Sequence, residues 1–188
     1  MHRYKRLFAV AAFLGLLLAV FQLSGFRDNF SLAFLHQKFL DNEASGLAIF
    51  IVLFALGNLI QVPGWIFLAA AVLALGEAWG GVATYLAAVI SCVVTFWVIR
   101  LVGGDALRQL KGRWATAALA RLDARPVTSI VVLRILLQTV PALNYALAMS
   151  GVRFRSYLLG TVLGLPLPIA LYCVFFEYLA RALHIAVY

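Results

Sequence analysis

Arg134 is the residue whose chemistry stands out most sharply from its surroundings. It sits inside an apolar stretch, residues 127–151, VTSIVVLRILLQTVPALNYALAMSG, together with Gln138, Pro141, Asn144 and Tyr145. A guanidinium stays charged and presents a planar fork of donors that matches oxyanions two bonds at a time. At a bilayer centre an arginine costs about 2.5–3.5 kcal/mol on insertion scales, so it marks either a function or an internal partner. Two roles are open to Arg134: holding an anion, or capping carbonyls left free where helices break. A second apolar stretch, residues 46–76, repeats the interrupted pattern with Asn58, Gln61, Pro63 and Gly64. Asn58, Gln61, Gln138 and Asn144 offer neutral donors and acceptors. They either line a polar path or satisfy backbone groups freed at the breaks. Pro63 and Pro141 are helix breakers, since proline has no N–H and clashes with the preceding turn.

No set of residues is expected to act catalytically. His2, His36 and His184 are scattered, and Cys92 and Cys173 lie inside apolar spans where they read as small hydrophobes. No His/Cys cluster has metal-ligand spacing, and no nucleophile–base pair is apparent. No metal and no cofactor is therefore expected, and an enzyme is not the expected class.

These residues must be positioned by membrane helices. At 188 residues the chain is 65% hydrophobic with a mean hydropathy of +1.01, against about 45–50% apolar for a soluble domain. The net charge of +8 does not point to nucleic acid. Its basic residues cluster beside apolar spans, where cytoplasmic loops carry them. The expected class is an all-α integral membrane protein. Residues 1–25 form an N-terminal transmembrane helix behind Arg3, Lys5 and Arg6. Residues 26–45 form an interfacial amphipathic segment, and 46–183 form the membrane domain. Within that domain, 46–76 and 127–151 are broken hairpins, 79–102 and 156–180 are spans, and 103–126 is a cytoplasmic loop. The loop holds Arg108, Lys111, Arg113, Arg121 and Arg125 against Asp105 and Asp123. Charge bookkeeping then has the two hairpins re-enter from opposite faces, with the N-terminus in the cytoplasm. This is an inverted repeat, a pattern that places a transport site near mid-membrane. Gly160 and Gly164 form a Gly-x-x-x-Gly pair for close helix packing, within the chain or between copies in a homo-oligomer.

The run LRILLQTVPALNYALAMSGVRFRSYLLGTVLGLPLP resembles the second conserved block of the DedA superfamily, and more closely its SNARE-associated, VTT-domain branch. The matching residues are Arg134, Pro141, Asn144, Tyr145, Gly151, Arg153 to Tyr157, Gly160, Gly164 and Pro166. The run NLIQVPGWIFLAAAVLALGEAWGG resembles the first conserved hairpin, through Pro63, Gly64, Gly76 and Gly80. The resemblance implies opposed re-entrant hairpins and a flippase or scramblase that moves lipids. Its implied partners are membrane lipids, phospholipid or polyprenyl phosphate, in a bacterial inner membrane. Arg134 would then meet a lipid phosphate, and Asn58, Gln61, Gln138, Asn144 and Tyr145 its headgroup, with Tyr145 equally suited to aromatic anchoring. The DedA branch proper carries hairpin carboxylates and a second arginine after the proline. This chain has Gly57-Asn58, Pro63-Gly64-Trp65 and Asn144-Tyr145 in those places. The alternative is a proton- or ion-coupled small-solute transporter on the same scaffold.

Overall fold

In a computed structural model, the chain is described at residues 43–109, 113–138 and 140–182, and at positions 9, 10, 12, 13, 15, 16 and 19. The expected first span is thus described only at scattered helical positions. The expected interfacial segment lies outside the described residues except for 43–45. Among the described residues the structure is helical, with no strand. The α-helices are α1 (Glu43–Leu59), α2 (Gly64–Gly103), α3 (Arg113–Ala124), α4 (Pro126–Leu137), α5 (Ala142–Met149), α6 (Phe154–Gly164) and α7 (Pro166–Ala182).

The order helix, break, helix, reversal, long helix occurs twice. α1 stops at Leu59, and Pro63, in an extended conformation, starts α2. Between them Gln61 takes φ 66°, a left-handed backbone that closes the turn. α2 is 40 residues long on paper, yet it is two arms. Gly76 has φ 77° and ψ 175°, and the chain doubles back there. A Cβ on Gly80 would lie 2.6 Å from the Ala71 carbonyl oxygen. In one unbroken helix those residues would be about 13 Å apart at 1.5 Å per residue. The arm 64–75 therefore returns along α1, and the arm 77–103 is the long helix. The reversal between the hairpin 46–76 and the expected span 79–102 falls on Gly76, where a glycine can adopt the required positive φ, and 77–81 is helical.

In the second half α4 ends beside Gln138, and Pro141 caps the start of α5. Gly151, with φ 78°, turns the chain into α6. α6 runs into α7 through a bend at Leu165 before Pro166. Pro166 cannot donate to the carbonyl four residues back, that of Val162. The Tyr85 hydroxyl donates to that carbonyl instead, at 3.2 Å. The Gly160 and Gly164 pair packs within the chain. Cβ atoms there would meet Ile130 Cβ at 2.6 Å and Arg134 Cβ at 2.8 Å, so α6 can lie against α4 only because both are glycine.

The 77–103 arm of α2 is the common partner. Near its start, Gly80 touches the return arm of the first hairpin. Near its end, Arg100 donates to the Ala148 carbonyl at 2.8 Å and Gly103 lies against Met149 of the second hairpin. The hairpins thus approach this arm from opposite ends, and their tips meet beside Ser91, Cys92 and Thr95. Two apolar clusters follow from this. One joins the first hairpin, the early part of the arm and α7, around Phe50, Val72, Ala87 and Leu165. The other joins the second hairpin, the later part of the arm and α6, around Phe96, Ile99, Ile130 and Tyr157.

The outside is apolar as well. Val82, Leu86, Ile90, Val94, Trp97 and Leu101 form an exposed stripe on α2, and Leu159, Leu163, Leu167, Leu171 and Val174 another on α6 and α7. An exposed apolar surface of this extent suits contact with lipid. The 77–103 arm and the Phe154–Leu179 run are long and apolar enough to cross a bilayer. α1, the 64–75 arm, α4 and α5 are each shorter than the roughly 30 Å hydrocarbon layer needs. At the polar end, Arg108 pairs with both Asp123 carboxylate oxygens, at 3.0 and 2.5 Å. That guanidinium holds the Asp123 carboxyl below its usual range.

The close approach at Gly80 is testable. Gly80→Ala forces a methyl against backbone, not against a movable side chain, and overpacking of this kind costs about 1–3 kcal/mol. Detergent-solubilised protein unfolded by SDS titration should show that loss, and an unchanged midpoint would contradict the fold-back at Gly76.

Candidate functional site

Between the two apolar clusters lies a polar layer, and Arg134 is its centre. α4 buries this residue to 3% exposure. Its Nη1 donates to Asn144 Oδ1 at 2.6 Å, and its Nη2 donates to the Tyr157 hydroxyl and to Thr161 Oγ1, both at 3.1 Å. The guanidinium carbon also lies 5.5 Å from the Tyr157 ring centroid, over its face. Every one of these partners is neutral, so the positive charge is solvated but not balanced. The Nε has no hydrogen-bond partner.

The network continues across the two hairpins. Asn144 Nδ2 donates to Asn58 Oδ1 at 2.8 Å, which ties the second tip to the first. Asn58 Nδ2 donates to Ser91 Oγ at 2.8 Å and to Thr95 Oγ1 at 3.2 Å on the long arm of α2. Ser91 in turn donates to the Phe54 carbonyl at 3.5 Å. The Cys92 thiol reaches Asn144 Oδ1 at 3.5 Å, and the Tyr157 hydroxyl donates to the Cys92 carbonyl at 3.1 Å. One connected set of side chains therefore joins α1, α2, α4, α5 and α6.

A cleft opens between the tips. Its wall includes Asn58, Gly64, Cys92, Arg134, Gln138, Pro141 and Asn144, and it measures about 380 Å³ counting the part open to the outside. The enclosed part has room for water and nothing much larger. A second cleft continues from it past Gln138 and Thr84 to Trp65 and Tyr172, between the first hairpin and α7. Gln138 Oε1 and Thr84 Oγ1 are buried there without a partner. Among the described residues no acidic side chain lines either cleft.

A family model, the VTT domain, matches residues 62–178. The chain belongs to the VTT-domain family. The match runs from the turn of the first hairpin through most of α7 and so takes in every helix that meets Arg134. This DedA/SNARE-associated family is one of membrane proteins and is regarded as transporter-like, not enzymatic. No curated protein and no solved structure matches the chain.

Of the residues singled out from the VTT-domain sequence, the structure brings Arg134, Asn58, Gln138 and Asn144 to one cleft. Gln61 and Tyr145 stand outside its wall. Gln61 forms the first turn, with a buried and unpartnered Nε2. Tyr145 is buried, and its hydroxyl donates to the Leu59 carbonyl at the end of α1. Its position suits a fastener between hairpins better than a headgroup contact or an interfacial anchor. Pro63, Gly64 and Pro141 mark the tips, while Gly151 packs under Arg108 and Gly160, Gly164 and Pro166 shape the α4–α6–α7 contact. Sequence reasoning missed Ser91, Thr95, Tyr157 and Thr161. A signal existed for the first two, four residues apart and hence on one helical face. Arg100 binds the Ala148 carbonyl and pairs with Asp105 at 3.3 Å.

The Asn58–Asn144 contact can be measured by a double-mutant cycle with Asn58→Ala, Asn144→Ala and both. Hydrogen bonds between membrane helices give coupling of about 0.6–1.7 kcal/mol by such cycles. Unfolding in detergent should return a value in that range, and strictly additive losses would mean the tips are not joined by this bond.

Proposed function

We propose that this protein moves phosphate-bearing lipid headgroups between leaflets, as a flippase or scramblase, with the two hairpins re-entering the bilayer from opposite faces. The observation that carries the reading is the buried Arg134, charged, unmatched by any carboxylate and walled into a cleft at the meeting of two broken helices. A phosphate crossing hydrocarbon faces a large desolvation cost. Hairpins whose arms stop part-way leave only a thin septum between two polar vestibules. There Arg134 offers counter-charge, and Asn58, Gln138 and Asn144 exchange their bonds with one another for bonds to the headgroup. The acyl tails remain outside, against the apolar stripes of α2, α6 and α7. Transport requires the tips to part, because the enclosed part of the cleft has room for water and nothing much larger. Phospholipid and polyprenyl phosphate both present the needed phosphate. A proton-coupled small-solute transporter gains no support from the cleft, whose wall among the described residues holds no acidic side chain.

In reconstituted vesicles, dithionite quenching of fluorescent lipid reads headgroup transfer. Loss of a charged hydrogen-bonding group costs about 1.5–3 kcal/mol, so Arg134→Ala should slow transfer about 10- to 100-fold. Arg134→Lys should recover part of it, keeping charge without the planar fork. Equal rates for parent and alanine variant at equal folded density would remove Arg134 from the mechanism. The re-entrant arrangement has its own test. A cysteine at exposed Ala118 of α3, with Cys92 and Cys173 replaced by alanine, should react with an impermeant thiol reagent only from the cytoplasmic side. Labelling only from the other side would overturn the topology.

A further inference from the structure

The cleft at Arg134 has a wall of bare backbone. Gly64 is the first residue of α2 and lines the cleft together with Arg134. A glycine there presents nothing but its main chain. Pro63 precedes it as N-cap and makes no side-chain capping bond. The first N–H groups of a helix have no partner within the helix. Among the described residues no acceptor meets those of Gly64 and Trp65, whereas the next, Ile66, bonds the Pro63 carbonyl at 3.1 Å.

The neighbouring helix ends differ in a way that matters. α1 stops at the same tip, and its last carbonyls carry the opposite partial charge. All of them are engaged: Leu56 and Gly57 accept from Ile60, Gly57 also from Val62, Asn58 from Gln61, and Leu59 from the Tyr145 hydroxyl. α5 also begins at the cleft, but Leu143 and Asn144 already bond the Val140 and Pro141 carbonyls at 3.1 and 3.3 Å. The last carbonyls of α1 are therefore engaged, whereas free main-chain donors remain at the start of α2; the unpartnered acceptor in the same wall is the neutral Gln138 Oε1. A second observation points the same way. Arg134, 3% exposed, lines the same cleft with its Nε unpartnered. One donor comes from each hairpin, and among the described residues no acidic one lies in the wall between them.

We infer that an anionic phosphate oxygen in this cleft is held jointly by Arg134 Nε and the main-chain N–H of Gly64. This rests on the headgroup reading above and gives its site a second half. A helix N-terminus carries roughly half a positive charge and binds phosphate through main-chain donors. It cannot be neutralised by protonation changes and is weaker than a second guanidinium, which suits a site that must release its ligand. Because the donors belong to opposed hairpins, the anion bridges the tips and takes over part of the tie that Asn58 and Asn144 make in its absence.

The test uses the full chain in detergent, with dihexanoyl phosphatidic acid and inorganic phosphate as separate probes, and phosphorus NMR line broadening as the binding readout. Proline is favourable at the first helical position, where its missing N–H breaks no helical bond. Gly64→Pro therefore removes one donor and keeps the helix start. Gly64→Ala keeps the N–H and adds the same Cβ, which would meet the Phe54 ring at 3.3 Å in either variant. The proline variant should bind the lipid phosphate about tenfold more weakly than the alanine variant. Equal affinities would overturn the joint site. If the proline variant does not fold, nitrogen-15 glycine spectra of the parent decide: the Gly64 amide proton should move downfield as phosphatidic acid is added, and a stationary amide overturns the proposal. Arg134→Ala losing binding while the Gly64 amide stays still would leave the headgroup reading standing and remove only this inference. A parent that binds neither probe would remove both. Inorganic phosphate binding as tightly as phosphatidic acid, and shifting the same amide, would make the free anion the ligand.

Discussion

A helix that ends inside an apolar body leaves backbone groups that water cannot reach, and this chain has to accommodate such ends at two places that touch. In hydrocarbon each unsatisfied group costs several kcal/mol, so broken helices survive only where protein or a water-filled cavity covers the break. The rest of the structure follows from that requirement. The end of α1 is closed by tight backbone turns through Ile60 to Val62 and by the Tyr145 hydroxyl from the other hairpin. The Tyr85 hydroxyl repairs the carbonyl that Pro166 leaves open. Arg100 covers the Ala148 carbonyl near the end of α5. Donors from elsewhere in the fold thus serve carbonyl after carbonyl, which binds the elements together more specifically than apolar contact can.

The same requirement explains why polar side chains form a layer and not scattered points. Arg134, Asn144, Asn58, Ser91, Thr95, Tyr157 and Thr161 are all buried, and they sit between two apolar clusters. A buried network is costly if any member is left unsatisfied. Here the unsatisfied atoms among the network's neighbours, Arg134 Nε and Gln138 Oε1, belong to residues in the cleft wall. The long arm of α2 is held by both clusters, while the tips are joined to each other by one asparagine pair and the Tyr145 bond. Parting the tips breaks few bonds and leaves both apolar clusters intact.

Close approach is the second structural device. Gly80 lets the return arm lie against its own continuation, and Gly160 and Gly164 let α6 lie on α4. The second of these contacts sets the reach of Arg134. With α6 against the Cβ of Arg134, the guanidinium is brought within bonding distance of Tyr157 and Thr161 on the same helix. In lipid there is no hydrophobic gain from bringing helices together, so van der Waals contact of this closeness and hydrogen bonds must supply the attraction.

What the sequence determined by itself was whatever is unfavourable in an apolar run. Arg134, Asn58, Gln138 and Asn144 are conspicuous there because an unpaired polar group in hydrocarbon is expensive, and Pro63 and Pro141 because proline cannot continue a helix. All-helical character, the two breaks and the family followed from those residues and their order. Only the tertiary structure decided which partners they found. Ser91 and Thr95 share a helical face, four residues apart, but they and Thr161 are small hydroxyl residues that a helix can satisfy through its own carbonyls, and Tyr157 passes for an ordinary aromatic, so their pairing with Asn58 and Arg134 came only from the fold. A reversal between the hairpin 46–76 and the span 79–102 was legible, but what makes it was not: the fold-back depends on Gly76 reaching a positive φ and on Gly80 having no side chain where the arms meet. Tyr145 is suited by type to a headgroup contact or to aromatic anchoring, and only the fold shows that its hydroxyl donates to the carbonyl of Leu59, far away in sequence. Polarity against an apolar background is a local property and can be read along the chain; which two breaks face each other is set by the packing of distant helices.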